Sequence, residues 1–290
     1  MPVFNGQTTL VAAIESILAQ TYHNFELIII DDGSRDRSLE IIKLFADERI
    51  RVFTQSNMGL AKTLNVGIFN SNGDFIARQD QDDISMPTRI EKQIKRFIQN
   101  IDLVLLGTRG HMINDEGKVV GKINMPSRNL DLQYITNFYN PFIHTSIMMR
   151  SMVLKQIGGY TEEVEKQPPE DYELWGRLKR MGQIENLNEC LVKYRVSNNS
   201  MSRKFEEIIA TNYKKIVVAN LEEVFHFSKN DAVVFFELQY LKQNKFKLSL
   251  KFKILCKFVY RFILVQTRSP FFGLRVYTGM FRMILRICLK

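Results

Sequence analysis

The sequence predicts an α/β fold: a mostly parallel sheet with helices on both sides and a small antiparallel addition, then a helical, basic amphipathic C-terminal segment. Three observations predict it. Over residues 1–107, apolar runs of strand length alternate with segments of helical spacing. Two of these runs end in acidic clusters, Asp31-Asp32 and Asp80-Gln81-Asp82-Asp83. From Leu238 to Lys290 there are twelve Lys and Arg residues and no Asp or Glu.

The elements follow in order. Leu10, Ala13, Ile14, Ile17 and Leu18 fall at helical spacing between Thr9 and Gln20. Residues Phe25 to Ile30 read as a buried strand, Ser38 to Phe45 as helix, Ile50 to Thr54 as strand, Gly59 to Phe69 as helix and Asp74 to Ala77 as strand. Pro87 opens a helix that places Ile90, Ile94, Phe97 and Ile98 on one face. Asp102 to Leu106 is extended again. Only four residues precede the Asn5-Gly6 loop, short for a buried parallel strand, so the first strand is expected to be stunted or to begin upstream. Residues 108–200 are more mixed: Lys118 to Ile123 and Leu191 to Val196 read as strands, Gly158-Gly159-Tyr160 as a turn, and Asp171 to Met181 as helix. From Phe205 onward only helical patterns remain, which places a domain boundary near Arg203.

Charge divides the chain in the same place. The total is +9 and the tail carries twelve positive charges, so the first 237 residues sum to −3. A partner with negative charge is therefore expected to meet the tail. Lys253, Lys257 and Arg261 recur every four residues among Leu255, Phe258, Val259 and Phe262, and Arg275, Arg282 and Arg286 repeat the pattern. Charges this frequent do not suit a membrane span. They suit a basic amphipathic helix on an anionic membrane surface, expected over 238–290, or else the basic face of a helical subdomain. Nucleic acid is not expected, because the interleaved aliphatic side chains need burial that a phosphate-tracking surface does not provide. Cys190, Cys256 and Cys288 show no paired spacing, which fits a reducing compartment. No secretory leader pattern is visible at Met1-Pro2-Val3-Phe4-Asn5-Gly6.

In open α/β sheets, ligands bind beyond the carboxyl ends of strands, where both acidic clusters fall. Three carboxylates within four positions can hold a hard divalent cation shared with a substrate phosphate, although acidic residues also serve simply as turn formers and helix caps. Five signals occur in order: Pro2-Val3-Phe4-Asn5; Asp31-Asp32-Gly33-Ser34; Asn57 with Gly59-Leu60-Ala61 and Leu64-Asn65; Asp80-Gln81-Asp82-Asp83; and Glu170-Asp171-Tyr172-Glu173-Leu174-Trp175. With Tyr194-Arg195 following, the series resembles the family 2 glycosyltransferases of the GT-A fold over residues 1–203.

The resemblance implies a division of labour. Residues 1–107 would form the nucleotide-sugar half and 108–203 the acceptor half; the helical region 204–290 lies outside the resemblance, and its expected membrane association rests on its charge pattern alone. Phe4, Asn5, Asp31, Asp32, Asn57 and Asp80 would contact the donor, and Asp82 would ligate Mg²⁺ or Mn²⁺. Arg195 would help balance the diphosphate. Asp171 would be the general base with Glu170 beside it, and Trp175 and His144 would shape the acceptor site. The chemistry is coherent with these roles. A carboxylate-held cation offsets the charge that develops on the leaving diphosphate, and a nearby carboxylate takes the proton of an attacking sugar hydroxyl. Attack from the opposite face inverts the anomeric carbon. The expected enzyme is thus an inverting transferase acting on a saccharide acceptor, expected to be lipid-linked, in surface polysaccharide assembly at the cytoplasmic face of a membrane. The alternative is a catalytically impaired nucleotide-sugar-binding partner. Ser197 gives that alternative some footing, since it stands where many relatives place a metal-site histidine.

Overall fold

The computed structural model describes residues 1–163, 168–197, 205–240 and 248–268. Its strands form two sheets. In the first, β1 (Pro2–Val3), β2 (Leu27–Asp31) and β3 (Ile50–Thr54) lie side by side, all parallel. In the second, β4 (Phe75–Ala77), β8 (Met148–Arg150), β6 (Leu103–Ile113), β9 (Gln183–Arg195) and β5 (Ile84–Ser85) follow in that spatial order, and β7 (Val119–Ile123) pairs with β6. There β6 and β9 are parallel, whereas β4–β8, β6–β8, β5–β9 and β6–β7 are antiparallel.

The helices are α1 (Leu10–Leu18), α2 (Ser38–Lys43), α3 (Leu60–Phe69), α4 (Arg89–Gln99), α5 (Asn129–Ile135), α6 (Ser151–Gln156), α7 (Glu170–Leu178), α8 (Glu206–Phe225), α9 (Lys229–Tyr240) and α10 (Leu248–Arg268). Of the apolar residues at helical spacing, Leu10, Ala13, Ile14 and Ile17 in α1 and Ile90 and Phe97 in α4 are buried, Leu18 and Ile94 are half-buried, and Ile98, expected on the same face, is exposed. Gly158 and Gly159 both take positive φ, 81° and 69°, in the turn that the Gly-Gly pair predicted.

Residues Pro2–Val3 pair as β1 with Ile30 and Asp31 of β2. Met1 donates through its amino group to Ile28 O at 2.8 Å, and Ile30 N donates to Met1 O at 3.0 Å, so pairing with β2 starts at the first residue. Burial, aided by Arg78, lowers that ammonium to about 5. A cavity of about 600 Å³ lies between the two sheets, lined by Met1, Ile28, Ile30, Phe75, Ile76 and Met148 and reaching Arg78 and Gln79, just before the second acidic cluster.

The main core crosses residue 203. Leu132, Phe138, Trp175 and Leu178 share one apolar cluster with Val217, Leu221, Phe225, Phe235, Ile254 and Phe258. Phe258 stacks on Phe235 with ring centroids 4.8 Å apart and meets Phe138 edge-on at 6.0 Å. The apolar side of the basic helix is therefore turned at least partly onto the body. Of the twelve tail cations, Lys251 is buried, Lys253 is exposed and Lys257 pairs with Asp231. Arg275, Arg282 and Arg286 lie outside the described residues. Among the described residues no helix is long and apolar enough to cross a membrane.

Candidate active site

The loops that follow β1 and β2 are stitched together by side chains that accept from backbone N–H groups. Asn5 N donates to Ser34 Oγ (3.0 Å), Gly6 N to Ser38 Oγ (2.8 Å), Gln7 N to Asp36 Oδ2 (3.0 Å), and Arg35 N to Asn5 Oδ1 (2.8 Å). Asn5 takes a φ of 52°, which its short amide tolerates in a turn. Gln81 clamps the backbone of Phe4 from the acidic loop: its Oε1 accepts from Phe4 N (2.9 Å) and its Nε2 donates to Phe4 O (3.1 Å). The clamp leaves Phe4 43% exposed at the mouth of the site, a position suited to stacking on a planar ring. Asp31 is buried and accepts from Ser34 N at 3.4 Å.

Asp32 has a different place from the one expected. Its two oxygens accept from Met58 N (2.9 Å), Gly59 N (3.0 Å) and Gln55 Nε2 (2.7 Å). These bonds hold the turn into α3, which carries exposed Asn57, so the carboxylate is engaged with the protein's own backbone and the Gln55 amide.

The second cluster lies past β4. Arg78, almost fully buried, forms an ion pair with Asp80. Asp80 N donates to Thr145 Oγ1 at 3.0 Å. Beneath the loop, Gln79 Nε2 donates to Asp83 O (2.7 Å), and Arg89 donates to Arg78 O (2.9 Å) and Thr145 O (2.6 Å). Arg195 corrects another expectation. Its Nε donates to Asp82 O (3.0 Å), its Nη1 to Asn114 O (2.7 Å) and Asp115 O (2.8 Å), and its backbone N to Asp83 Oδ1 (2.7 Å). The guanidinium thus braces the acidic loop from behind. Burial, and then Asp80, push the Asp82 carboxyl up to about 6. Burial, Asp80 and Asp82 push Asp83 well above the carboxylate range.

That electrostatic state tests the fit of a divalent cation. Among the described residues no three Asp, Glu, His or Cys groups converge on one point. Asp80 is committed to Arg78 and one oxygen of Asp83 to Arg195, which leaves Asp82 with a carboxylate that its neighbours make costly to ionise. Magnesium-type sites often use only one or two carboxylates, with substrate phosphates and water completing the shell. The residues fit a cation shared with a diphosphate, not one caged by protein alone.

The third group opens α7, after a cis Pro168–Pro169 bond. Glu170 is buried, and burial plus Asp171 raise its carboxyl to about 7. Asp171 accepts from Asn140 Nδ2 (2.7 Å) and from Tyr172 N (2.7 Å); burial raises its pKa while these donors oppose the rise. His144 Nε2 lies 2.7 Å from Tyr160 Oη, and its Nδ1 lies 3.9 Å from Glu170 Oε1. Burial, with Arg78, holds this imidazole well below its usual pKa, so it is neutral. His144 therefore lies beside the carboxylate pair as a half-buried neighbour. Trp175 corrects the acceptor expectation: it is wholly buried, edge-on to Phe142 (5.7 Å) and His144 (5.9 Å). Its size is spent on the core.

The two acidic groups are linked through Arg78 and Thr145, to which no role was assigned from the sequence. Arg78 acts electrostatically on Asp82, Asp83, His144, Tyr160, Glu170 and Asp171. Thr145 and His144, adjacent in sequence, touch Asp80 and reach toward Glu170 respectively. Asn65 fixes Tyr160 by accepting from its N (2.8 Å) and donating to its O (2.9 Å). A basic residue ending an apolar run just before three Asp residues was the available signal for Arg78.

Comparison with known proteins settles the family. The Glycosyl transferase family 2 model matches residues 1–158. The chain belongs to that family, and it is a glycosyltransferase. It is 37% identical over 209 residues to the putative glycosyltransferase EpsE of Bacillus subtilis, covering 70% of this chain and 74% of that one. It is 36% identical over 203 residues to the O-antigen biosynthesis glycosyltransferase WbnJ of Escherichia coli, covering 66% and 76%. Among solved structures it is similar to S. aureus TarS in complex with UDP-GlcNAc, with TM-score 0.61 and 18% identity over 90% of this chain and 79% of that one. It is also similar to the mannosyltransferase PcManGT of Pyrobaculum calidifontis in complex with GDP-Man and Mn²⁺, with TM-score 0.57 and 13% identity over 100% and 84%. At such identities the structural likeness is one of fold, and it agrees with the GT-A architecture.

Proposed function

We propose that this glycosyltransferase moves a sugar, with inversion, from a nucleotide-diphosphate donor to a hydroxyl of a saccharide acceptor in surface polysaccharide synthesis. The observation that carries this reading is Asp171, a half-buried carboxylate with both oxygens oriented by hydrogen bonds, grouped through Arg78 with the strand-end carboxylates. Residues 1–107 hold the donor: Phe4 offers its ring to the base, and Asp31 and Asp80 lie on the ribose side. Asp82 would hold Mg²⁺ or Mn²⁺, which when bound supplies positive charge to a departing diphosphate. Asp171 takes the acceptor proton, and Glu170, kept protonated up to about 7, leaves Asp171 as the ionised member of the pair near neutral pH. The names of O-antigen enzyme WbnJ and of amylovoran biosynthesis enzyme AmsE of Erwinia amylovora support a surface polysaccharide setting. The donor complexes of TarS and PcManGT support the donor class, and the Mn²⁺ of the latter supports the metal.

A donor screen by calorimetry tests this: UDP-, GDP- and dTDP-sugars with Mn²⁺ should include one that binds, and Asp82→Asn should abolish its metal dependence. Silence from every donor overturns the reading. The lipid-linked acceptor and attachment to the inner face of the membrane rest on the tail. With Ile254, Leu255 and Phe258 in the core, that attachment would be chiefly electrostatic and salt-sensitive. Removing residues 269–290 spares those core side chains and should weaken sedimentation with anionic vesicles; undiminished sedimentation removes the tether.

A further inference from the structure

We propose that the C-terminal helices hold Asp171 in its reacting position through Asn140, which makes Asn140 a positioning residue for the transfer. This inference rests on the role given to Asp171 above. Asn140 Nδ2 donates to Asp171 Oδ2 at 2.7 Å, and Asn140 Oδ1 accepts from Phe142 N at 3.2 Å, so the amide has one consistent orientation. The loop that carries Asn140 is itself gripped from the C-terminal region. Phe138 O accepts from Tyr213 Oη on α8 at 2.8 Å and from Tyr240 Oη at the end of α9. The Phe138 ring is locked against Phe258 of α10.

Tyr213 does more than hold that carbonyl. Its ring stacks on Tyr172 with centroids 4.9 Å apart. One side chain of α8 thus touches the segment two residues before Asn140 and the residue next to Asp171. The contact between amide and base is spanned from behind by a single rigid aromatic. A half-buried donor aimed at Oδ2, with Tyr172 N on Oδ1, restrains rotation of the carboxylate, and reactivity is sensitive to displacements of about 1 Å. It also stabilises the ionised form that must accept a proton. The other titratable or charged groups that act on Asp171 or lie beside it are Glu170 on its own helix, Arg78 after β4, Tyr160 in the Gly158–Tyr160 turn and Tyr213 on α8.

The test is a carboxyl ¹³C NMR titration of the full chain, with Asp171 identified by the signal lost in Asp171→Asn. In Asn140→Ala the Asp171 midpoint should rise by about one pH unit, because a donor to the charged form has gone. Tyr213→Phe, which keeps the stack on Tyr172, should move it the same way by less. For transfer, kcat should fall about tenfold or more in Asn140→Ala with donor affinity unchanged, and the acid limb of the kcat/KM profile should shift to higher pH. An unmoved Asp171 midpoint in either variant overturns the inference. Because the titration needs no turnover, it decides the matter even if no transfer is found, an outcome that would count only against the functional reading. Should Asn140→Ala fail to fold, Tyr213→Phe decides alone.

Discussion

At the end of β4, Asp80, Asp82 and Asp83 are neighbours of two arginines and are anchored by backbone groups; at the start of α7, Asp171, beside Glu170, is oriented by neutral donors, an Asn amide and a peptide N–H. In the first group Asp82 and Asp83, and in the second Glu170 and Asp171, are shifted upward, by burial first. The difference lies in what would relieve them. The first crowds three carboxylates at one loop, a charge excess that a divalent cation relieves. In the second, one proton on Glu170 relieves the pair and leaves Asp171 able to accept another. Similar acidic residues thus suit a metal in one place and a proton in the other, and the neighbours decide which.

Mutations can break this contrast. Asp171→Asn should reduce transfer by about 10²- to 10⁴-fold while calorimetry shows donor binding intact, since a base is removed and nothing else. Intact transfer in that variant would favour a non-catalytic partner role. Arg78→Met takes the buried cation from between the groups and should cost about 3 kcal/mol in urea unfolding, at the low end for a broken buried pair because Asp80 keeps some exposure. Arg78→Lys should recover part of it.

The pH dependence separates the groups further. Glu170 ionises near 4.5 when unfolded and at about 7 when folded, so the folded state keeps its proton longer. Its contribution to stability is present at low pH and is lost as pH rises from about 4.5 to about 7, about 3 kcal/mol in all without divalent cation. Asp82, with a folded value of about 6, adds a slope of the same sign. Glu170→Gln should therefore flatten much of the difference between urea unfolding at pH 5 and at pH 7.5, and an unchanged slope would deny that burial sets its protonation. The smallest effects concern the first acidic strand end. Asp32→Ala, which strands the Met58 and Gly59 N–H groups, should cost about 1–2 kcal/mol, whereas exposed Asn57→Ala should move unfolding by less than about 0.5 kcal/mol.

Much of this was legible in the chain itself. Ile50–Thr54 forms the expected strand residue for residue, α1, α3 and the start of α4 fall within two residues of their predicted positions, and α7 starts one residue early and ends three residues short, because burial of one face imposes a period on the sequence. The short α5 and α6, and the first half of β9 at 183–190, were not foreseen; they are short or lack a continuous apolar period, and their pairing partners are distant in sequence. The acidic clusters and the Glu-Asp pair were visible as residue types at strand and helix ends. Their employment was not. Asp32 turned out to bind its own backbone, Arg195 to brace a loop, and Trp175 to fill the core. Whether a carboxylate, guanidinium or indole faces a ligand or a neighbour depends on which distant segment packs against it.

The sequence by itself determined the alternation of strands and helices, the acidic strand ends, the family and the separation of a basic tail from an acidic body, because periodicity, charge and motif order are local properties of a chain. Only the tertiary structure decided that Arg78 joins the two carboxylate groups, that Asn140 hydrogen-bonds Asp171, and that the helices after residue 205 share the main hydrophobic core. These depend on contacts between residues tens of positions apart, where burial and hydrogen bonding give each side chain its protonation and its partner.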